Sequence, residues 1–391
     1  MPFFSQSLAK AASLIEVVSG QEIKVKVNLI LGHDGTASKL LKTWKNSEFE
    51  KAPENKVLIT IDHAYPAPTI QERTLQQELF KVSNEMDLHL YSHGEGVLHQ
   101  VVAEEGSLRP GMIIVGADGH VATSGAFGAL AFSLSAEELV NPLETGYYKL
   151  TVPEIVTITL ENQLQSNVMA RDVALYILGK WGSNIKGKAV ALTGSFLEQA
   201  SIASKMALCN LLPEAGVVTA FVLPSQEEAE GEVYQVDVSV IEPMIAVPPS
   251  PTHVQSVKDL VGKKITVAIL GGCSAGRIED MMICAAVLKG RKIPPEVTLI
   301  ITPASSKIAN EMDELGLTPI LRKSGAIIMP PGCGPCPGKH FGLLSPQDVA
   351  ITTTIRNSPG RIGSEDAEIL LASPRTVAES ALKGVISCPK S

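Results

Sequence analysis

Short β-branched runs alternate along this chain with longer amphipathic stretches, and the joints between them are rich in Gly, Pro, Asp and His. That alternation predicts an α/β fold built on largely parallel strands. In a first block, residues 1–141, the pattern predicts an opening helix within 1–18, strands near Val57–Ile61 and Met112–Val115, and a helix over Ile70–Glu85. A second block, 142–254, opens with Thr151–Leu160 as a strand. It continues with helices near Ala170–Lys180 and Leu197–Leu212 and strands at Val217–Leu223 and Val233–Ser239. The Pro-rich stretch Val247-Pro248-Pro249-Ser250-Pro251 reads as a linker. The third block, 255–391, is the most regular. Strands near Ile265–Leu270, Val297–Ile301, Ala326–Met329 and Val349–Thr354 interleave with helices over Arg277–Leu288 and Ser305–Leu315.

Three cysteines sit in glycine-rich loops after apolar runs of that third block. Cys273 lies in Gly271-Gly272-Cys273-Ser274-Ala275-Gly276-Arg277, and Cys333 and Cys336 lie in Gly332-Cys333-Gly334-Pro335-Cys336-Pro337-Gly338. Arg356 and Arg361 follow another predicted strand. Open α/β sheets bind ligands at the C-terminal ends of their strands, so these loops predict a site. A cubane iron–sulfur cluster takes one cysteine per iron, and a set of three leaves one iron open. Structural zinc would want a fourth ligand, which His340 could supply. A Cys-x-x-Cys redox pair would explain Cys333 and Cys336 but not Cys273. Spacing leaves all three readings standing. Cys209, Cys284 and Cys388 read as ordinary buried or surface thiols.

Composition narrows the class. The 391 residues are 45% hydrophobic and 19% charged, with a formal net charge of −8 and no basic run, which argues against a nucleic-acid surface. No stretch approaches the roughly 20 apolar residues of a membrane span, and residues 1–18 do not read as a signal peptide. Six cysteines over this length are no disulfide framework; a reduced, cytoplasmic setting fits them better.

Asp62-His63, His99 and Asp118-Gly119-His120 all fall in joints of the first block, and Glu214 closes Cys209-Asn210-Leu211-Leu212-Pro213-Glu214. A carboxylate beside an imidazole holds it protonated, as a proton donor to a leaving hydroxyl requires. Each motif alone is a common turn; together they read as an acid–base set. Two guanidiniums at Arg356 and Arg361 suit bidentate carboxylate recognition, or else a solvated basic loop. His89, His93 and His253 read as surface or packing residues.

Taken in order, these segments resemble the aconitase superfamily. The nearest likeness is to the large subunit of 3-isopropylmalate dehydratase and its homoaconitase relatives. The resemblance runs from Gly32-His33-Asp34-Gly35-Thr36 through Asp62-His63, Gly94–Gln100 and Gly116–His120. It continues through Met206–Glu214, the Cys273 loop, Gly332–Gly338 and Arg356–Arg361 to Leu371–Ala378. It implies three α/β/α domains arranged around a [4Fe-4S] cluster held by Cys273, Cys333 and Cys336. Asp62 and His63 would assist hydroxyl departure, with His99–Asp118 and His120–Glu214 as supporting pairs. Asn210 would neighbour the cluster, while Arg356, Arg361 and Ser38 would contact substrate. The implied activity is dehydration or isomerisation of a hydroxy di- or tricarboxylic acid, on the leucine-biosynthesis pattern.

The chain departs from the family pattern at four places. Gly119 replaces a serine, Ile355 an asparagine, Ser274-Ala275 a Thr-Asn pair, and Ser38 a glutamine. Polar pocket groups are lost while the cysteines and histidines remain, which implies a shifted substrate: another substituted malate, citrate or homocitrate. A non-catalytic cluster-holding sensor is the alternative. The family's swivelling domain, whose Ser-Arg segment carries the base, is not seen before Ser391; the resemblance therefore implies a separate small subunit as partner.

Overall fold

Three sheets, two parallel and one mixed, organise the chain. The computed structural model describes residues 1–36 and 56–390. The first sheet has five strands in the order His89–Tyr91, Lys56–Thr60, Leu29–His33, Ile113–Gly116, Leu130–Ser133, all parallel. Its central strands are buried on both faces, which is why they read as continuous apolar runs. The second sheet runs Thr219–Val222, Ala189–Thr193, Ile155–Glu161, Glu232–Asp237, again all parallel. The third has seven strands: Val254–Ser256, Met244–Ala246, Glu368–Ala372, Val349–Thr352, Val267–Gly271, Thr298–Thr302, Ile327–Ile328. Its last five are parallel, and the first two add antiparallel at one edge.

Three expectations from the pattern need correction. The run Thr151–Leu160 is not one strand. Pro153 has no N–H to give a ladder, and the chain divides there: Tyr147–Thr151 pairs antiparallel with Glu22–Lys26, while Ile155–Glu161 enters the second sheet. Nor is the Pro-rich stretch at 247–251 a linker. It turns between Met244–Ala246 and Val254–Ser256, which are hydrogen-bonded to each other within the seven-stranded sheet. Likewise the helix expected over 197–212 is two, Ser195–Gln199 and Ile202–Leu211, the second started by the Ser201 side chain accepting from the Ser204 N–H. The helix Ile70–Glu85 and the opening helix Phe3–Ala12 stand where the pattern placed them.

The layers share their packing. One apolar cluster runs through the second and third sheets and takes in Val97 and Ala122 of the first block. Phe3 and Phe4 of the opening helix lie against Phe221 of the second sheet, each at 5.8 Å between ring centres. Arg171, near the start of the helix Ala170–Ile185, donates to the carbonyls of Ala372 (2.9 Å) and Thr354 (2.5 Å) at the ends of two third-sheet strands. The result turns the C-terminal ends of strands from two sheets toward the same place. Among the described residues no helix is long and apolar enough to cross a membrane.

Candidate active site

The two loops that carry the three cysteines leave the third sheet at its C-terminal edge. Cys273 follows Val267–Gly271 in a single helical turn. Gly271 has φ 130° there, and a Cβ on it would sit 2.0 Å from the Thr302 carbonyl oxygen, so only glycine lets the loop leave this closely. Cys333 and Cys336 follow Ile327–Ile328, and the Cys333 N–H donates to the Asp62 carbonyl at 2.9 Å, tying this loop to the first sheet. Each sulfur has a polar neighbour: Asn210 Nδ2 at 3.4 Å from Cys273, His63 Nδ1 at 3.7 Å from Cys333, Arg361 Nη2 at 3.9 Å from Cys336. Burial pushes the Cys273 thiol up to about 12, and Cys336 adds to the rise. Burial also carries Cys333 well above its ordinary value, with Asp62, Cys273 and Cys336 contributing. Three sulfurs, one buried and two half-buried, gathered at one sheet edge are a donor set suited to a metal group.

Around them lies a continuous set of imidazoles and carboxylates. His63 Nδ1 is 2.5 Å from Asp62 Oδ1, and Asp62 Oδ2 accepts the Leu98 N–H at 2.7 Å. Asp118 Oδ1 meets His99 Nε2 at 2.9 Å and the His120 N–H at 2.6 Å. His120 Nε2 reaches Glu214 Oε1 at 2.8 Å, and Arg356 Nε donates to both Glu214 oxygens at 3.0 Å. Burial alone would lower both histidines. The Asp62 carboxylate overrides it at His63, and the hydrogen bonds His120 gives to Asp118 and Glu214 override it there, lifting each to about 9. In turn, burial would raise Asp62, but His63 holds it down at about 2. Asp118 is kept well below the ordinary range by His99 and its other histidine contacts, against the same effect of burial. At neutral pH His63 and His120 are therefore protonated, facing the ionised carboxylates of Asp62, Asp118 and Glu214.

The structure brings together Asp62, His63, His99, Asp118, His120, Glu214, Asn210, Arg356, Arg361 and the three cysteines. Ser38 falls outside the described residues. His340, weighed above as a zinc ligand, lies against Phe341, and the groups that act on its ring are the Tyr65 backbone and Asp34, not a thiol. Two further residues were overlooked as site residues. Asp34 accepts the N–H groups of Asp62 (3.2 Å), His63 (2.9 Å) and Ala64 (3.1 Å), so it shapes the loop that carries the first pair. His33 stacks on His63 with 3.8 Å between ring centres, and its Nε2 lies 3.2 Å from Asp118 Oδ2. Its Nδ1 accepts the Gly35 N–H at 3.0 Å, which leaves the ring's proton on Nε2, facing Asp118. The signal was present: His33-Asp34 is an imidazole–carboxylate pair closing an apolar run, like Asp62-His63 after the neighbouring strand.

A cysteine trio and a histidine–carboxylate array thus meet at the strand ends of parallel sheets, and comparison with known proteins gives the family. The aconitase family (aconitate hydratase) matches residues 8–231 and 225–384, and the chain belongs to it. It is the large subunit of an aconitase-family hydro-lyase. The probable homoaconitase large subunit of Methanothermobacter thermautotrophicus is 34% identical, covering 98% of this chain and 96% of its own. The 3-isopropylmalate dehydratase large subunit 2 of Methanopyrus kandleri is 36% identical, covering 96% and 95%. The homoaconitase large subunit of Thermus thermophilus is 34% identical, covering 96% and 94%. Among solved structures, the holo form of Thermococcus kodakaraensis aconitase X matches with a TM-score of 0.54 at 10% identity, over 94% of this chain and 88% of that one, a likeness of fold.

Proposed function

We propose that this large subunit works in a [4Fe-4S]-dependent dehydratase or isomerase that removes water from a hydroxy di- or tricarboxylic acid of the 3-isopropylmalate type. The observation that carries the reading is the meeting of three cysteine sulfurs with a protonated histidine, through the 3.7 Å approach of His63 to Cys333. The donor set fits the cluster. Burial raises the Cys273 and Cys333 thiols, with neighbouring groups adding to the rise, and Asn210 Oδ1, Thr302 Oγ1 and the Asn357 amide are buried polar atoms with no partner among the described residues. Cys273, Cys333 and Cys336 would hold the cluster, which when bound supplies a Lewis-acidic iron at its free corner.

The chain's own residues do the rest. His63 uses Nδ1 on Asp62 and keeps its Nε2–H for the departing hydroxyl. Arg356 and Arg361 receive substrate carboxylates. Arg356 is already aligned by Glu214, which shares its charge with His120, so the guanidinium is placed before substrate arrives. The base that takes the carbon-bound proton belongs to a small subunit carrying the swivelling domain. Names among the relatives support a two-subunit enzyme, and they divide between isopropylmalate and homoaconitate activities.

On the isopropylmalate reading the reaction serves leucine biosynthesis. The three cysteine and histidine loops would then lie between three α/β/α domains. The test is anaerobic reconstitution with iron and sulfide, mixing with the cognate small subunit, and a panel of isopropylmalate, citramalate, dimethylmalate, citrate and homocitrate. Alkene absorbance growing with one or more of them is the expected result. A cluster-loaded complex inert toward the whole panel would refute the substrate class.

A further inference from the structure

Every charge in the array above faces an opposite one at close range. Two buried guanidiniums behind the Cys273 loop do not. Arg277 is 4% exposed and Arg171 2%, and neither forms a salt bridge among the described residues. Arg277 gives its fork to backbone instead: Nη2 to the Cys273 carbonyl at 2.6 Å and Nη1 to the Ser274 carbonyl at 3.3 Å, while Nε has no partner. Arg171 donates to Thr354 and Ala372. The nearest acids act on the two guanidiniums through space while their oxygens accept backbone N–H groups. Asp280 accepts the Arg277 backbone N–H, and Asp172 accepts the N–H groups of Met169 and Met244.

A guanidinium taken out of water without a partner is costly, and folds keep one only where a charge compensates it. Here Asp172 for Arg171 and Asp280 for Arg277 supply the leading opposite charge, and the cysteine sulfurs add to it. Cys273 acts on both arginines, and Cys336 acts on Arg171 as well. With three thiolates around an oxidised cubane core, negative charge is in excess.

We infer that Arg277, backed by Arg171, is the buried counter-charge of the cluster loop. It fixes the Cys273 turn through two carbonyls, and its charge sets how readily the bound cluster accepts an electron. Arg277 is thus a positioning and charge-tuning residue that touches neither substrate nor reacting atoms. The inference rests on the cluster reading above.

A redox titration of the anaerobically reconstituted full-length protein, followed by the paramagnetic signal of the reduced cluster, tests it. A cation nearby favours the state with one more electron. Arg277→Gln should therefore lower the reduction equilibrium about tenfold, a shift of about 59 mV for a one-electron couple. Arg277→Lys keeps the charge and loses the fork, so its potential should stay at the wild-type value while its iron is lost faster in air. An unchanged potential in Arg277→Gln overturns the inference. If Arg277→Gln does not accumulate, Arg277→Lys decides: a wild-type potential supports the charge, and a tenfold fall in the equilibrium overturns it. Wild-type protein that takes up no cluster is read before any variant, and it sinks the cluster reading and this inference together.

Discussion

Removing the Asp34 carboxylate should loosen the site from beneath. Asp34 is 4% exposed and accepts three backbone N–H groups in a row, from Asp62, His63 and Ala64, at 2.9 to 3.2 Å. A buried donor left without an acceptor costs about 1–3 kcal/mol. Water admitted to the space left by Asp34→Ala would recover part of the loss, so the expected destabilisation is about 3–5 kcal/mol. Asp34→Asn keeps one acceptor oxygen and should lose about half of that. Unfolding of a chain with three sheets need not be two-state, so a thermal midpoint alone is a poor judge. Amide hydrogen exchange is the better assay, read at residues 62–64 and at Cys333, whose N–H is bonded to the Asp62 carbonyl. Those four amides should exchange much faster in Asp34→Ala while the strand Val267–Gly271 keeps its protection. Unchanged exchange at residues 62–64 would refute the reasoning, for it would mean that their N–H groups do not depend on this carboxylate.

Other outcomes follow from the same contacts. His63 and His120 are raised from 6.5 to about 9 in the folded chain, so the stability they contribute is complete below pH 6.5 and is lost as pH rises through 9. Denaturant titrations of the metal-free protein between pH 6.5 and 9.5 should show that decline, and a His63→Gln, His120→Gln double variant should flatten it. Asp62, lowered to about 2, works in the opposite sense: its contribution is present above pH 3.8 and lost as pH falls through 2. Glu214→Gln removes the charge shared by His120 and Arg356, and kcat/KM should fall by about 10²-fold with an unchanged circular dichroism spectrum. Gly119→Ser puts a Cβ 3.0 Å from Arg356 Nη2, so the guanidinium must move. Discrimination among the acids of the substrate panel should then change by about 1–3 kcal/mol, read from ratios of kcat/KM. Ile355→Asn places an amide in a site 2% exposed and should lower the thermal midpoint, at a cost of about 1–3 kcal/mol.

Much of this was legible because period and punctuation agree. The helix Ile70–Glu85 has Thr69 as its cap and an amphipathic spacing, and both are local. The central strands of the third sheet are buried on both faces, so they appear as unbroken apolar runs. What escaped depends on contacts far apart in sequence. The proline pairs at 248–251 look the same in a hairpin turn as in a linker, and only the pairing of Met244–Ala246 with Glu368–Ala372 distinguishes them. Asp34 was hidden for a related reason. Its partners are backbone N–H groups 28 to 30 residues away, which no side-chain motif announces. Arg171 and Arg277 read as helix-start residues, and nothing local marks them as buried. By contrast, the cysteines and the Asp–His pairs were visible because their chemistry is written in the residue type.

Glu214 has a consequence for how the protein acquires its activity. Its two oxygens bind His120, which follows a strand of the first sheet, and Arg356, which follows a strand of the third, while the residue itself rides on a turn of the second block. Such a knot has no partial version: a ribosome-bound chain lacking Arg356 can fold two layers and still own no catalytic apparatus. Competence should therefore arrive late and all at once, and a nascent or proteolytically clipped fragment should be catalytically silent however well its sheets have formed.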